Sequence, residues 1–166
     1  MCIRDSVSTA RVFNTNLSVV KSVINSNDKR TNLLLNKISK IMNYKIKNKN
    51  ITFLGVTFKP GTDDMRESSS LKMIPALTRK GANINYYEPT GKKKELKSKN
   101  INFSENIKDA CKIADLIIIH TEWNEFKQLN FKKITTKKNF KVFDMRNLYS
   151  TSEMKKNKIN YFSIGR

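Results

Sequence analysis

The sequence predicts an α/β fold: a doubly wound, mostly parallel sheet preceded by a long helix. Short apolar runs alternate with helical patterns along most of the chain, the signature of strand–helix–strand units. One run, Leu116-Ile117-Ile118-Ile119, is apolar without interruption, as in a central parallel strand covered on both faces. Polar stretches follow the apolar runs directly after Phe58, Ile119 and Phe143, where an open parallel sheet places its ligand crevice.

Residues 1–6 fit no periodic pattern, and 1–13 read as an unassigned leader or truncation edge. From Asn14 to residue 43 the chain reads as one long helix or two stacked ones. Leu17, Val20, Val23 and Ile24 share a face that Leu34, Leu35, Ile38, Ile41 and Met42 continue. An apolar stripe of that length needs cover from a larger chain or a second subunit. The basic, asparagine-rich stretch 44–50 reads as a linker, leaving 51–166 as the main domain.

That domain opens with a strand at 51–58, stopped by Lys59-Pro60-Gly61. A helix at 69–80 follows, with Leu71, Ile74, Leu77 and Thr78 inward and Gly81 as its C-terminal cap. Strand 83–87 is closed by Glu88-Pro89, 91–100 forms a loop or short exposed helix, and 101–103 is a short strand. Ser104 suits an N-cap for a helix that buries Ile107, Ala110, Cys111 and Ala114. Strand 116–119, a helix at 131–136, strand 140–143, a helix near Glu153 and a strand at 161–164 complete the alternation.

With 166 residues and 38% hydrophobic content, the chain can bury a real core. No apolar run approaches the roughly 20 residues that span a bilayer, and no leader ends in a small-residue cleavage site. The expectation is a cytoplasmic protein with no membrane partner. Cys2 and Cys111 lie too far apart in sequence for metal-type spacing and suggest no disulfide. The formal charge of +19, from 33 Lys+Arg against 14 Asp+Glu, invites a nucleic-acid reading. The lysines are spread along almost the whole chain and mixed with asparagine, so a dispersed solvated face is the simpler reading and no nucleic-acid partner is expected.

The crevice loops carry polar residues that folding alone does not demand. Lys59 and Arg66 bracket a helix start, where backbone N–H groups and the helix dipole favour an anion. The pair suits a phosphate-bearing small molecule; the plainer readings are a turn at Lys59-Pro60-Gly61 and an ion pair of Arg66 with Asp63, Asp64 or Glu67. Arg146, two residues after Asp144, is either a structural partner of that acid or a ligand clamp. His120 has no nucleophile and carboxylate beside it in sequence, and Trp123 reads as a packing anchor. Glu88 stands where a dinucleotide-binding fold holds its ribose acid, yet no G-x-G-x-x-G occurs anywhere in the chain. The residues alone point to a phosphate-ligand-binding domain without a catalytic engine of its own.

Five segments occur together in an order that resembles the C-terminal part of the UDP-glucose 6-dehydrogenases of the UDP-glucose/GDP-mannose dehydrogenase family. They are Gly55-Val-Thr-Phe-Lys-Pro-Gly-Thr-Asp-Asp-Met-Arg-Glu-Ser68, Tyr87-Glu-Pro89, Thr121-Glu-Trp-Asn-Glu-Phe126, Phe143-Asp-Met-Arg-Asn147 and Ser163-Ile-Gly-Arg166. The resemblance covers residues 7–166 and implies a Rossmann-like domain that binds the UDP-sugar. It implies that Phe58, Lys59 and Arg146 contact UDP-glucose, with Met145 replacing the family's usual glycine, and that Arg66 reaches an NAD held by another domain. It also implies a homodimer built through the helix at 14–43.

By the same resemblance the reaction is a two-step, NAD-dependent oxidation of UDP-glucose to UDP-glucuronate through a cysteine thioester. The family's Gly-Gly-Ser-Cys-Phe-Pro-Lys-Asp type motif does not occur here. The chain therefore reads as a C-terminal fragment expected to bind the sugar nucleotide without turning it over. The rival expectations are a relative acting on UDP-N-acetyl-mannosamine or GDP-mannose, and a non-enzymatic basic nucleic-acid-binding domain.

Overall fold

The computed structural model describes residues 3–165; expectations for Met1, Cys2 and Arg166 lie outside the described residues. The chain divides between Lys37 and Ile38 into two compact units, a division that falls inside a helix.

The first unit holds α1 (Ile3–Val12) and most of α2 (Ser18–Ile41). Helix α1 gives most of the segment 1–13 a regular structure that no periodicity marked. Asp5 in its first turn and Arg11 in its last complement the helix dipole. Val7 and Ala10, three residues apart, are buried. Asn14, at φ +50, supplies the left-handed residue that ends α1, and Thr15 N–H closes onto Ala10 O at 2.8 Å. Val12, Phe13, Val19, Val23 and Leu33 are exposed, so Val23 does not share a buried face as the periodicity suggested.

The second unit is a six-stranded, all-parallel sheet in the order β3-β2-β1-β4-β5-β6. Its strands are β1 (Asn50–Leu54), β2 (Asn83–Tyr87), β3 (Ile101–Phe103), β4 (Leu116–Ile119), β5 (Lys141–Asp144) and β6 (Asn160–Ser163). The direction of winding reverses between β1 and β4, which leaves a crevice at their carboxyl ends. Helix α3 (Ser70–Arg79) crosses from β1 to β2, whereas α4 (Ile107–Cys111), α5 (Phe131–Ile134) and α6 (Thr151–Lys156) serve the other direction. Right-handed crossovers put α3 on one face of the sheet and α4, α5 and α6 on the other.

Register fixes which residues face which layer. Ile51, Ile84 and Leu116 are aligned, as are Phe53, Tyr86 and Ile118, and all six are buried. Leu54, Ile117, Ile119 and Val142 point the other way, into a cluster with Cys111, Phe126, Phe131 and Met154. Each fully buried aliphatic side chain contributes about 1.5–3 kcal/mol relative to exposure. The segment 44–50 is tied to the sheet: Ile46 is buried and Asn48 N–H donates to Gly81 O at 2.7 Å.

Strands β2, β3 and β4 have the predicted bounds. Strand β1 stops at Leu54 rather than Phe58, because Gly55 turns the chain at φ +77. A Cβ there would lie 2.6 Å from Thr121 Cβ, so close loop packing requires glycine. Helix α3 buries Ser70, Met73, Ile74 and Leu77, with Met73 rather than Leu71 or Thr78 facing inward. Its C-terminal turn closes as expected on Gly81, at φ +83. The N-cap of α4 is Asn106, whose side chain accepts from Asp109 N–H at 2.8 Å, and not Ser104. Residues 91–100 form turns without a helix. No helix among the described residues is long and apolar enough to cross a membrane.

Candidate functional site

Four loops leave the carboxyl ends of β1, β2, β4 and β5, and hydrogen bonds lace them into one unit. The Glu88 carboxylate, almost fully buried after β2, accepts from Val56 N–H at 2.7 Å and from Thr57 N–H at 3.1 Å. These are the amides that begin the loop after β1. A buried carboxylate persists where several donors reward its charge. Glu88 is therefore a clamp on the β1 loop rather than an acid free to hold a ribose.

The start of α3 is fastened to the same loop. Ser68 and Ser70 hydroxyls both donate to Val56 O, at 2.7 and 2.6 Å. Ser69, between them, pairs with His120 Nε2 at 2.8 Å. Thr121 Oγ1 donates to Thr57 O at 3.0 Å, so its single proton is used there. The contact between Thr121 Oγ1 and His120 Nδ1 at 3.1 Å must then run from Nδ1–H to the hydroxyl. His120 is the neutral Nδ1–H tautomer, and Nε2 accepts the Ser69 proton. Burial, with a smaller contribution from the Arg146 charge, pushes the imidazole down to about 3. His120 is a fixed strut between loops, not an acid–base group working near neutrality.

Arg146 is presented by Asp144, the buried last residue of β5. Asp144 Oδ1 accepts Arg146 N–H at 2.9 Å, and Oδ2 accepts Tyr149 N–H at 3.1 Å and the Tyr161 hydroxyl at 2.9 Å. The acid thus shapes the loop backbone. The guanidinium instead donates Nε–H to His120 O at 2.6 Å and has Glu122 Oε2 at 2.9 Å. Its two terminal nitrogens make no hydrogen bond among the described residues.

Phe58 and Lys59 are both exposed at the end of the β1 loop. Phe58 N–H donates to Asp64 O at 2.9 Å, folding 59–63 into a tight excursion. The Lys59 ammonium has no hydrogen bond or ion pair among the described residues. Arg66 is held by Asp64, with Nε 3.0 Å from Oδ1 and Nη2 2.9 Å from Oδ2. Hydrogen bonding to that guanidinium holds the Asp64 carboxyl below the usual carboxylate range. Of the partners that sequence left open for Arg66, the structure selects Asp64.

The network's other members carried no sequence signal of their roles. Glu122, Ser69 and Tyr161 meet their partners across separations of 24, 51 and 17 residues. Cys111 is buried in α4, where desolvation pushes its thiol up to about 12, so it cannot serve as a nucleophile at neutral pH. The described residues also do not fit a dinucleotide in the ordinary way. The β1-loop amides that would face a pyrophosphate are spent on Glu88, and Gly55 makes room for Thr121.

A parallel sheet with order 3-2-1-4-5-6 and helices between its strands defines a Rossmann-like α/β domain, and its switch-point loops carry a lysine and a guanidinium edge with open donors. The chain belongs to the UDP-glucose/GDP-mannose dehydrogenase family, whose UDP binding domain matches residues 52–151. Among curated relatives, UDP-glucose 6-dehydrogenase of Rickettsia felis is 37% identical over 89% of this chain and 34% of its own length. The enzyme of Rhizobium meliloti is 35% identical over 96% of this chain and 37% of its own length. The chain thus spans about a third of these relatives. Two solved structures share the fold. A UDP-glucose dehydrogenase from Pyrobaculum islandicum has TM-score 0.76 and 18% identity over 96% of this chain and 34% of that one. An NDP-N-acetyl-D-galactosaminuronic acid dehydrogenase from Methanosarcina mazei has TM-score 0.79 and 20% identity over 95% of this chain and 35% of that one.

Proposed function

We propose that this chain is the UDP-sugar-binding domain of an NAD-dependent UDP-glucose 6-dehydrogenase, with UDP-glucose as its ligand and UDP-glucuronate as the product of the whole protein. The observation that carries this reading is the 37% identity to a relative of that name over 89% of the chain, which includes every crevice loop. Lys59 supplies a charge for the diphosphate and exposed Phe58 an apolar surface beside it. The open guanidinium edge of Arg146 supplies donors for ligand oxygens. Arg66, on the exposed side of the β1 loop, points its charge toward an NAD held by another domain, and Asp64 keeps it in place until then. The chain itself binds without turnover: Cys111 is unsuited to the thioester chemistry. The segment 14–43, which contains α2, pairs two copies in the whole protein, 44–50 joins it to the sheet, and 51–166 holds the ligand. A cytoplasmic location suits both the sugar nucleotide and the free thiol of Cys111.

The test is titration of the purified chain with UDP, UDP-glucose, GDP and a short DNA duplex at low and moderate salt. The reading predicts saturable binding that favours the two UDP ligands and survives moderate salt. Preference for GDP would assign the domain to another nucleotide sugar. Binding to DNA alone, collapsing with salt, would refute the reading.

A further inference from the structure

The sheet has a second hollow at its opposite end. The α5–β5 and α6–β6 connections line an open hollow of about 310 Å³ beside the amino ends of β5 and β6, with Lys132, Lys137, Lys138, Lys158, Phe140 and Ile159 among its lining. The crevice proposed above lies at the carboxyl ends of the strands, so this hollow belongs to none of its loops.

Charge and geometry both single it out. Lys137 is neutralised by Asp115, whose Oδ1 lies 3.1 Å from its ammonium. Lys132, Lys138 and Lys158 have no side-chain hydrogen bond or ion pair among the described residues. No acidic residue lines the cavity. The loop that presents Lys137 and Lys138 is held in place: Lys112 O accepts Thr136 N–H at 2.9 Å and the Thr136 hydroxyl at 2.8 Å, and Lys137 N–H donates to Thr135 Oγ1 at 3.2 Å. Lys158 follows α6 in the left-handed conformation, φ +53, where glycine or asparagine is the cheaper residue. Like charges gathered around one concavity repel, and a multiply charged anion relieves that repulsion while gaining several charge-assisted hydrogen bonds. The volume is that of a small-molecule site. Buried Phe140 and half-buried Ile159 give it an apolar floor.

We propose that this cavity binds a small molecule carrying two or more linked phosphates, at a site separate from the crevice. The lysines bind the phosphate chain, and the apolar floor lies under whatever part of the ligand bears less charge.

The test uses the full chain at moderate salt, with inorganic triphosphate and ATP as probes, followed by calorimetry and by thermal shift. Saturable binding that raises the melting temperature is expected, because a ligand selective for the folded state stabilises it. Lys132→Ala/Lys138→Ala/Lys158→Ala should weaken triphosphate binding by about tenfold or more. Lys92→Ala/Lys94→Ala/Lys97→Ala removes the same charge from an exposed loop and should leave it unchanged. The single variant Lys138→Glu repeats the loss should the triple variant fold poorly. Equal loss in both triple variants would reduce the effect to bulk charge and overturn the proposal. So would full retention in the cavity variant. Tighter binding of ATP than of triphosphate would assign the apolar floor to the organic part; equal binding would assign recognition to the phosphates alone.

Discussion

Arg146 donates its Nε–H to the carbonyl oxygen of His120 at 2.6 Å, so the loop after β5 is braced on the residue whose ring holds Ser69 at the start of α3. One histidine thereby couples a guanidinium proposed to hold ligand to the start of α3. The coupling is structural, since the ring is buried and neutral.

That neutrality has a consequence for stability against pH. The folded-state pKa of His120 is depressed, from 6.5 to about 3. The unfolded chain therefore takes up a proton below about pH 6.5 that the folded chain refuses. Stability from this group is fully present above pH 6.5 and declines as pH falls, by up to about 1.4 kcal/mol per pH unit. Urea denaturation at pH 7.0, 6.0 and 5.0 should show this slope, and His120→Gln should flatten it. An unchanged slope in the variant would mean that carboxylates alone set the acid sensitivity.

Glu88→Ala should strip two buried amides, Val56 N–H and Thr57 N–H, of their acceptor. The expected cost is about 1–3 kcal/mol for each group left unsatisfied. Denaturant midpoints measure it, and UDP affinity should fall in parallel because the displaced loop carries Phe58 and Lys59. A variant as stable as the parent would show that water readily replaces the carboxylate.

Leu77→Ala provides the contrast. Leu77 is completely buried on α3, and its truncation should cost about 2–5 kcal/mol. At a temperature where the variant remains folded, its UDP affinity should match the parent's, since Leu77 lies about two turns along α3 from the serines that tie the helix to the crevice loops. A large loss of affinity in the folded variant would mean that α3 is coupled to ligand through more than Ser69.

Much of this architecture was legible because local and tertiary demands agree. The period-two and continuous apolar runs of β2 and β4 sit between strong punctuation, Gly81 and Pro89 in one case and the polar His120–Glu122 turn in the other. The end of β1 was not legible, because what stops it is the approach of Thr121 to Gly55 from 66 residues away. Helix α1 was missed because its apolar spacing, Ile3, Val7 and Ala10, is short and set among polar neighbours. Sequence position marked Lys59, Arg66 and Arg146, as cations beyond strand ends, whereas Phe58 was implied only by the family resemblance. It could not show that Asp64 would hold Arg66, or that Glu88 would serve the backbone of the loop after β1, since both facts depend on where side chains meet in space.

The central claim is that Lys59 and Arg146 together hold a UDP-sugar, and calorimetric titration of UDP-glucose into the parent chain, Lys59→Ala and Arg146→Ala tests it most directly. Each substitution should weaken binding by about tenfold or more, the scale of a charge-assisted hydrogen bond, while far-ultraviolet circular dichroism stays unchanged. Parental affinity in both variants would contradict the account and move the sugar nucleotide away from the β1–β4 crevice.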